Sequence, residues 1–400
     1  MCSIITYYCW IMVDVHRLPW RLLSSDENII CFVAFLNLPY QRIVMHSRIA
    51  KLADKLGEHG LDGYVAARSP NVRYYTGSIG GSFLVVARDI DPLLLVSPLD
   101  ENVARDTVED CMVETYTASS LLNRLAELFR GSHASVVGFD DLPVAFLDRV
   151  ELRLPEMDFR QDQDVVWEQR AVKDVGELKL MAEAGRLADS AMESLGEKLA
   201  VGVTENQLAA EASFAMMREG AEAHAFEFTV GSGPRSAYPH ASSTERKIGK
   251  GDLVVVDIGA MYRGYCSDIT RTFIAGRFDV KKRGLYEAVL RSHDMAFSVM
   301  KPGASCKDVD TVSRMVIEEA GFGAYYSHSL GHGIGLEIHE PPSVSQRGTA
   351  KLVEGNVVSD EPGVYIRGYG GVRIEDSVLI TENGAKRLTK FPRDIDNATF

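Results

Sequence analysis

No CxxC pair, no run of Lys or Arg and no apolar stretch approaching the about 20 residues that span a bilayer occurs in this 400-residue sequence. The six cysteines, Cys2, Cys9, Cys31, Cys111, Cys266 and Cys306, are scattered, three of them within the first 31 positions. Such spacing in a long chain excludes a disulfide framework and leads us to expect a reducing cytoplasm. Basic residues number 43 against 56 acidic ones, for a formal net charge of −13. That balance excludes generic binding to nucleic acid or to an anionic membrane, and leaves small ligands and metal cations as partners. The amino terminus also lacks the basic start and small-residue cleavage site of a signal peptide. Residues 1–44 are apolar and aromatic-rich without regular patterning, so we read them as an extension outside the fold, with translation from a wrongly chosen start as one origin.

What is present is the composition of a globular protein, 46% hydrophobic and 25% charged, at a length that suits two domains. From Met45 the pattern alternates helix and strand. "MHSRIAKLADKLGEHG" places Ile49, Leu52 and Leu56 on one helical face and stops at Gly60. Short apolar strands follow at 63–67, 83–87 and 93–96, then a helix over 120–129 and a strand over 135–139. This α/β domain spans 45–165 and holds no cluster of His, Cys or acids, which points to a structural or oligomer-forming role.

A second domain, 166–400, opens with a long amphipathic helix within 172–200. It carries an internal repeat at an offset of about 100 residues. Gly202-Val203-Thr204 leads into an apolar-periodic helix ending at Gly220, and Gly303-Ala304-Ser305 leads into another ending at Gly321. Downstream, "KGDLVVVD" resembles "EGNVVSDE", with Gly251 and Gly355 each six residues before an acid. A helix-plus-hairpin half used twice, in an α+β domain with pseudo-twofold duplication, accounts for this pattern.

Each half holds a pair of acids around a turn. In "GDLVVVDIGAMYRGYCSDITRTF", a hairpin turning between Tyr262 and Arg263 sets Asp257 directly opposite Asp268, on one face. In "DEPGVYIRGYGGVRIED", a turn centred on Gly368 sets Glu361 opposite Glu375. Like charges placed this way are destabilising, and burial adds several kcal/mol unless a cation joins them. Between the hairpins, "SHSLGHGIGLEIHEPP" supplies His328, His332 and His339, with glycines that allow close backbone approach. Four carboxylates balance two divalent cations, and one imidazole completes an oxygen–nitrogen set suited to Mn, Co, Fe or Zn. Cys266 is expected to point away from the acids. A glycosidase would also pair two acids, but needs no histidine ligands.

The stretches "SAYPHA" (236–241), "DIGAMYRGYCSDITRTF" (257–273), "HSLGHGIGLEIHEPP" (328–342), "DEPGVYI" (360–366) and "GVRIED" (371–376) closely resemble the pita-bread metallopeptidases. The match is to their proline-directed branch, which contains prolidase and aminopeptidase P. The preceding α/β domain resembles the creatinase-like N-terminal domain of that branch. The resemblance implies Asp257, Asp268, His332, Glu361 and Glu375 as ligands of two divalent ions, manganese or cobalt favoured. It implies Glu361 as general base and proton donor, and His240 and His339 as groups that stabilise the developing oxyanion. Arg373 would orient Glu375 or the substrate. His328 matches the motif without a defined role, and His224 reads as structural. The implied activity is hydrolysis of the Xaa-Pro bond at the N-terminus of short peptides by a cytoplasmic homodimer, as an Xaa-Pro dipeptidase. The alternatives are an Xaa-Pro aminopeptidase acting on longer peptides and a non-catalytic interaction module on the same fold.

Overall fold

Ile49, Leu52 and Leu56 are all buried on one side of a helix over residues 48–58, and Gly60, at φ 67°, ends the turn that follows it. The computed structural model describes residues 48–108 and 110–400; the expected extension at 1–44 lies outside the described residues. The helix packs on a mixed six-stranded sheet in the order Met112–Thr115, Ile90–Val96, Phe83–Ala87, Gly63–Ala66, Val136–Phe139 and Asp158–Gln161. The strand expected at 93–96 begins earlier, at Ile90, because a two-residue turn lets Ile90 pair with Ala87 despite Pro92. Apolar residues fill both faces of this sheet, Leu84, Val86 and Leu94 on one side and Val85, Leu93 and Leu95 on the other.

The helix Asp164–Arg170 leads to the long helix Val175–Lys198, which opens with a capping box between Asp174 and Glu177. The repeat then appears in three dimensions. Thr204 caps the helix Glu205–Arg218 and Ser305 caps Cys306–Glu319, each accepting from the backbone N–H three residues on. Gly202 and Gly303, before the caps, have φ of 96° and 86°; Gly220 and Gly321, after the helices, have 109° and 83°. Each cap residue also bridges a lysine about 45 positions on, Thr204 to Lys247 and Ser305 to Lys351.

The strands of the two halves form one large sheet, in the order Glu340–Val344, Gly331–Gly333, Val357–Asp360, Glu375–Thr381, Ile269–Ile274, Leu253–Ile258, Thr229–Ser232. Read outward from the central pair Thr270↔Glu375, the order of the first half repeats that of the second. On Leu253–Ile258, residues 254, 256 and 258 pack against the helices at 187–216, which turns Asp257 to the opposite face. Val358 and Val378 do the same in the second half, so that Glu361 and Glu375 share Asp257's face. Among the described residues no helix is long and apolar enough to cross a membrane.

The first hairpin departs from its expected register. Asp257 faces Thr270, two positions from Asp268, and the turn is Arg263-Gly264, with φ of 48° and 87°. This two-residue turn with both φ positive is centred one position later than expected, which shifts every pair by two. A shift of two keeps the faces, so Asp257 and Asp268 are diagonal neighbours on the same side. The hairpin tip also peels away into a separate small sheet, Ala260–Tyr262 against Tyr265–Cys266. Cys266 therefore joins an apolar cluster with Ile334 and Leu336. Strand alternation alone would have put Cys266 on Asp268's face, so the switch of sheet, and not its parity, removes it from the acids. The second hairpin has the expected register: Gly363↔Arg373 and Ile366↔Gly370 close around Gly368, whose φ is 80°.

Candidate metal centre

His332 reaches the acids because its strand is squeezed between two others. A Cβ at Gly331 would lie 2.0 Å from the Ser359 carbonyl oxygen, and one at Gly333 would lie 2.2 Å from that of Pro341. Only glycine on both sides permits that approach. The His332 backbone N–H donates to Ser359 Oγ at 3.0 Å, and the Ser359 hydroxyl donates to Glu361 Oε1 at 3.1 Å. His332 Nδ1 donates to the Gly333 carbonyl at 3.1 Å, which leaves Nε2 as the free lone pair on the cavity side. Nε2 lies 3.2 Å from Glu361 Oε1 and 3.7 Å from Asp268 Oδ2.

Asp268, His332 and Glu375 each offer a donor atom within 4.8 Å of the others. Asp257 and Glu361 complete the ring of carboxylates around the same cavity of about 460 Å³, and His240, His328, His339 and Arg373 also line it. All nine of these residues, each named from the sequence, thus meet in one place. His339 stands edge-on to His332, ring centres 4.3 Å apart. His224 lies outside, hydrogen-bonded to Ser213 at 2.8 Å and packed on Phe228.

The electrostatics of the ring call for cations. Burial raises Asp257, and burial with repulsion from neighbouring carboxylates pushes Asp268 and Glu375 well above the usual range. Burial also pushes on Glu361, but without metal a protonated His332, its Nε2–H turned to Glu361 in place of the lone pair, outweighs it and holds Glu361 at about 2. Asp257 Oδ1 and Glu375 Oε1 are buried without any hydrogen-bond partner. Orphaned carboxylate oxygens around one cavity that an imidazole nitrogen also lines fit divalent cations by charge and by donor type.

Arg373, expected to orient Glu375 or the substrate, reaches Glu375 only through another side chain. Its guanidinium donates to Asp257 Oδ2 at 2.5 Å, to Thr270 Oγ1 at 3.0 Å and to Tyr365 Oη at 2.8 Å. Thr270 passes the contact on, donating to Glu375 Oε2 at 2.6 Å. The Tyr365 hydroxyl in turn donates to His328 Nε2 at 3.0 Å, and His328 Nδ1 donates to the Ser329 carbonyl at 2.8 Å. Thr270 and Tyr365 escaped the sequence reading. Thr270 had a signal, standing two residues beyond Asp268 on one strand face; Tyr365 had only its place on the second hairpin.

Glu205 is a third unforeseen participant. Fully buried at the first turn of its helix, it accepts from Ser232 N and Oγ, Thr244 N and Oγ1, and Arg235 Nε, between 2.6 and 3.1 Å. These five bonds pin both ends of the irregular segment that carries His240. Glu205→Ala is expected to cost about 3 kcal/mol, because it leaves buried donors unpaired. The measurable result is a thermal midpoint lower by several degrees, with turnover falling as His240 loses its place.

The chain matches Metallopeptidase family M24 over residues 179–382 and the Creatinase/Prolidase N-terminal domain over residues 48–172. It is 37% identical over 354 residues to an Xaa-Pro dipeptidase of Pyrococcus furiosus, covering 88% of this chain and 100% of that one. The solved prolidase from Pyrococcus horikoshii superposes with a TM-score of 0.82 at 36% identity, covering 87% of this chain and 99% of that one. An X-Pro aminopeptidase from Thermotoga maritima superposes with a TM-score of 0.80 at 30% identity, covering 87% and 98%. Fold, carboxylate ring and similarity over nearly the full length of these relatives agree: the chain belongs to Metallopeptidase family M24, carries a Creatinase/Prolidase N-terminal domain, and is a metallopeptidase.

Proposed function

We propose that this metallopeptidase hydrolyses Xaa-Pro dipeptides. The observation that carries the reading is the cavity in which four carboxylates and one imidazole converge, in a chain whose relatives of matching length include Xaa-Pro dipeptidases. Asp257, Asp268, His332, Glu361 and Glu375 would hold two divalent ions, with manganese or cobalt the expected metals for this oxygen-rich set. Bound there, the ions supply Lewis acidity to the scissile carbonyl and lower the pKa of water.

The chain's own residues do the rest. Glu361, kept ionised, takes a proton from the attacking water and returns it to the proline nitrogen as that bond breaks. His339 and His240 stand on the cavity wall to donate to the oxygen on which charge develops. Arg373, braced by Tyr365, holds Asp257 in place and sets the orientation of Glu375 through Thr270. Phe226, Phe228 and Ile338 provide the apolar part of the wall and exclude water. The domain division at 45–165 and 166–400, a cytoplasmic location and assembly as a homodimer belong to the same reading. All three are supported by the resemblance, and the location also by Cys111, Cys266 and Cys306, which form no disulfide.

Aminopeptidase action on longer peptides is the second reading, favoured by the superposition on the Thermotoga maritima enzyme. Hydrolysis of Ala-Pro against Ala-Pro-Ala, with Mn²⁺ supplied, separates the two. A dipeptidase cleaves the first at least about tenfold more efficiently, a difference of about 1.4 kcal/mol in transition-state binding. Preference for the tripeptide means the aminopeptidase, and cleavage of neither rejects the proline-directed substrate.

A further inference from the structure

We propose that the N-terminal domain positions the cavity-facing pair Ile338-His339 through an ionic clamp on the glutamates at either side, Glu337 and Glu340. The clamp rests on the reading of His339 as a group that faces substrate. In the run Glu337-Ile338-His339-Glu340, the middle pair lines the cavity and the flanking acids do not. The acids are instead held by three cations, Arg68 of the N-terminal domain and Arg170 and Lys173 of the segment that joins that domain to the helix Val175–Lys198. Arg68, at the start of the helix Ser69–Thr76, forms a short ion pair with Glu337 Oε1. Arg170 donates to Glu337 Oε2 at 2.8 Å and to Glu340 Oε1, and Lys173 Nζ lies 3.2 Å from Glu340 Oε2. Arg170 also donates to Asn71 Oδ1 at 2.5 Å, and Asn71 donates to Asp140 Oδ2 at 2.7 Å, which anchors the clamp in the six-stranded sheet's domain.

The segment needs such a clamp because it leaves regular structure between Gly333 and Glu340. Its turn is closed by the Glu337 N–H donating to Glu340 Oε1 at 3.0 Å, so the same carboxylate shapes the backbone and meets Arg170. Gly335 lets that carboxylate in: a Cβ there would stand 2.5 Å from Glu340 Oε2. Arg170 lies 4.5 Å from the Trp167 ring centre and Arg68 5.8 Å, so one indole spaces both guanidiniums. Arg170, Lys173 and Glu340 are almost fully buried, where paired charges interact strongly and tolerate little displacement. Arg68 is the accessible member, its side chain 30% exposed, and can be changed without opening a cavity. It is a positioning residue: it touches neither the cavity nor the acids of the metal centre.

The test uses the metal-loaded full chain as wild type, Arg68→Ala, Arg68→Lys and Glu337→Gln. Amide hydrogen exchange over 333–341 is expected to quicken by about tenfold in Arg68→Ala and Glu337→Gln, with Leu253–Ile258 unchanged. Turnover of an Xaa-Pro dipeptide is expected to fall by about tenfold in kcat, with KM within about twofold and bound metal equal to wild type. Arg68→Lys, which keeps the charge, recovers most of both. The double variant Arg68→Ala/Glu337→Gln is no worse than the poorer single one. Unchanged exchange at 333–341, or a lowered melting temperature with kcat intact, overturns the clamp. If the wild type cleaves no Xaa-Pro peptide, the substrate reading fails, and the exchange measurement still decides the clamp.

Discussion

A strong chelator is expected to abolish peptide hydrolysis and to leave a protein whose stability falls as the pH rises from about 5 to 8. Loss of activity follows from removing the Lewis acid that the carboxylate ring is built to hold. The pH dependence follows from the stripped ring itself. Burial raises Asp257, and burial with mutual repulsion raises Asp268 and Glu375 well above their ordinary values. An acid raised in the folded state binds more protons folded than unfolded. Unfolding then releases protons, and each step up in pH favours the unfolded chain until the raised value is passed. Glu361 has the opposite sign. Held near about 2, it contributes stability above its ordinary 4.5 that is lost only as the pH falls toward 2, outside this window.

Behind the ligands, burial raises Asp360 to about 7, and Asp360 with Asp376 raises His293 to about 8 against the opposing effect of its burial. Both act in the same direction as the ring, His293 losing its contribution as the pH passes its folded value. Metal restores the lost stability by mass action, about 4 kcal/mol at a thousandfold excess over Kd, and binds less well as acid protonates the ligands. The chelator should therefore lower the melting temperature more at pH 8 than at pH 5.5. A chelator shift that is constant with pH, or larger in acid, contradicts this electrostatic account of the ring.

Glu361→Gln is expected to lower kcat by about a thousandfold, within the range assigned to a positioned general base. The substitution keeps the shape of the side chain and its acceptor for the Ser359 hydroxyl, but the amide takes no proton. KM should stay within a few-fold, because substrate contacts are untouched. Glu375→Gln makes the control. Its buried Oε1 has no partner other than the ions proposed for it, so that variant should lose metal together with activity. Steady-state kinetics at saturating Mn²⁺, with bound metal counted for each variant, distinguish the two roles. Turnover by Glu361→Gln near that of wild type removes Glu361 from the proton path.

Much of this architecture was legible before any coordinates. The glycines that frame the two capped helices carry the duplication in plain spacing, and Gly368 fixes the register of the second hairpin. The first hairpin misled because acids at equal distance from an apparent turn suggested a symmetric pair. The turn residues Arg263-Gly264 decide the register instead, since their positive φ admits the tight two-residue loop. The ligands were readable as a set because each sits in a motif whose residue types suit one chemistry. The residues that hold the ligands were not. Arg170 and Glu340 stand 170 positions apart, as do Arg373 and Asp257 across 116, and no local period links such partners. Glu205 looks like an ordinary first-turn helix acid until the segment it pins has folded against it.

Metal titration of the stripped protein, with bound ions counted and Ala-Pro hydrolysis followed in the same samples, tests the central claim most directly. Activity is expected to appear as Mn²⁺ or Co²⁺ fills two sites per chain, and Asp268→Ala is expected neither to fill them nor to cleave. Full activity with one ion or none, or two bound ions without any Xaa-Pro cleavage, would contradict it.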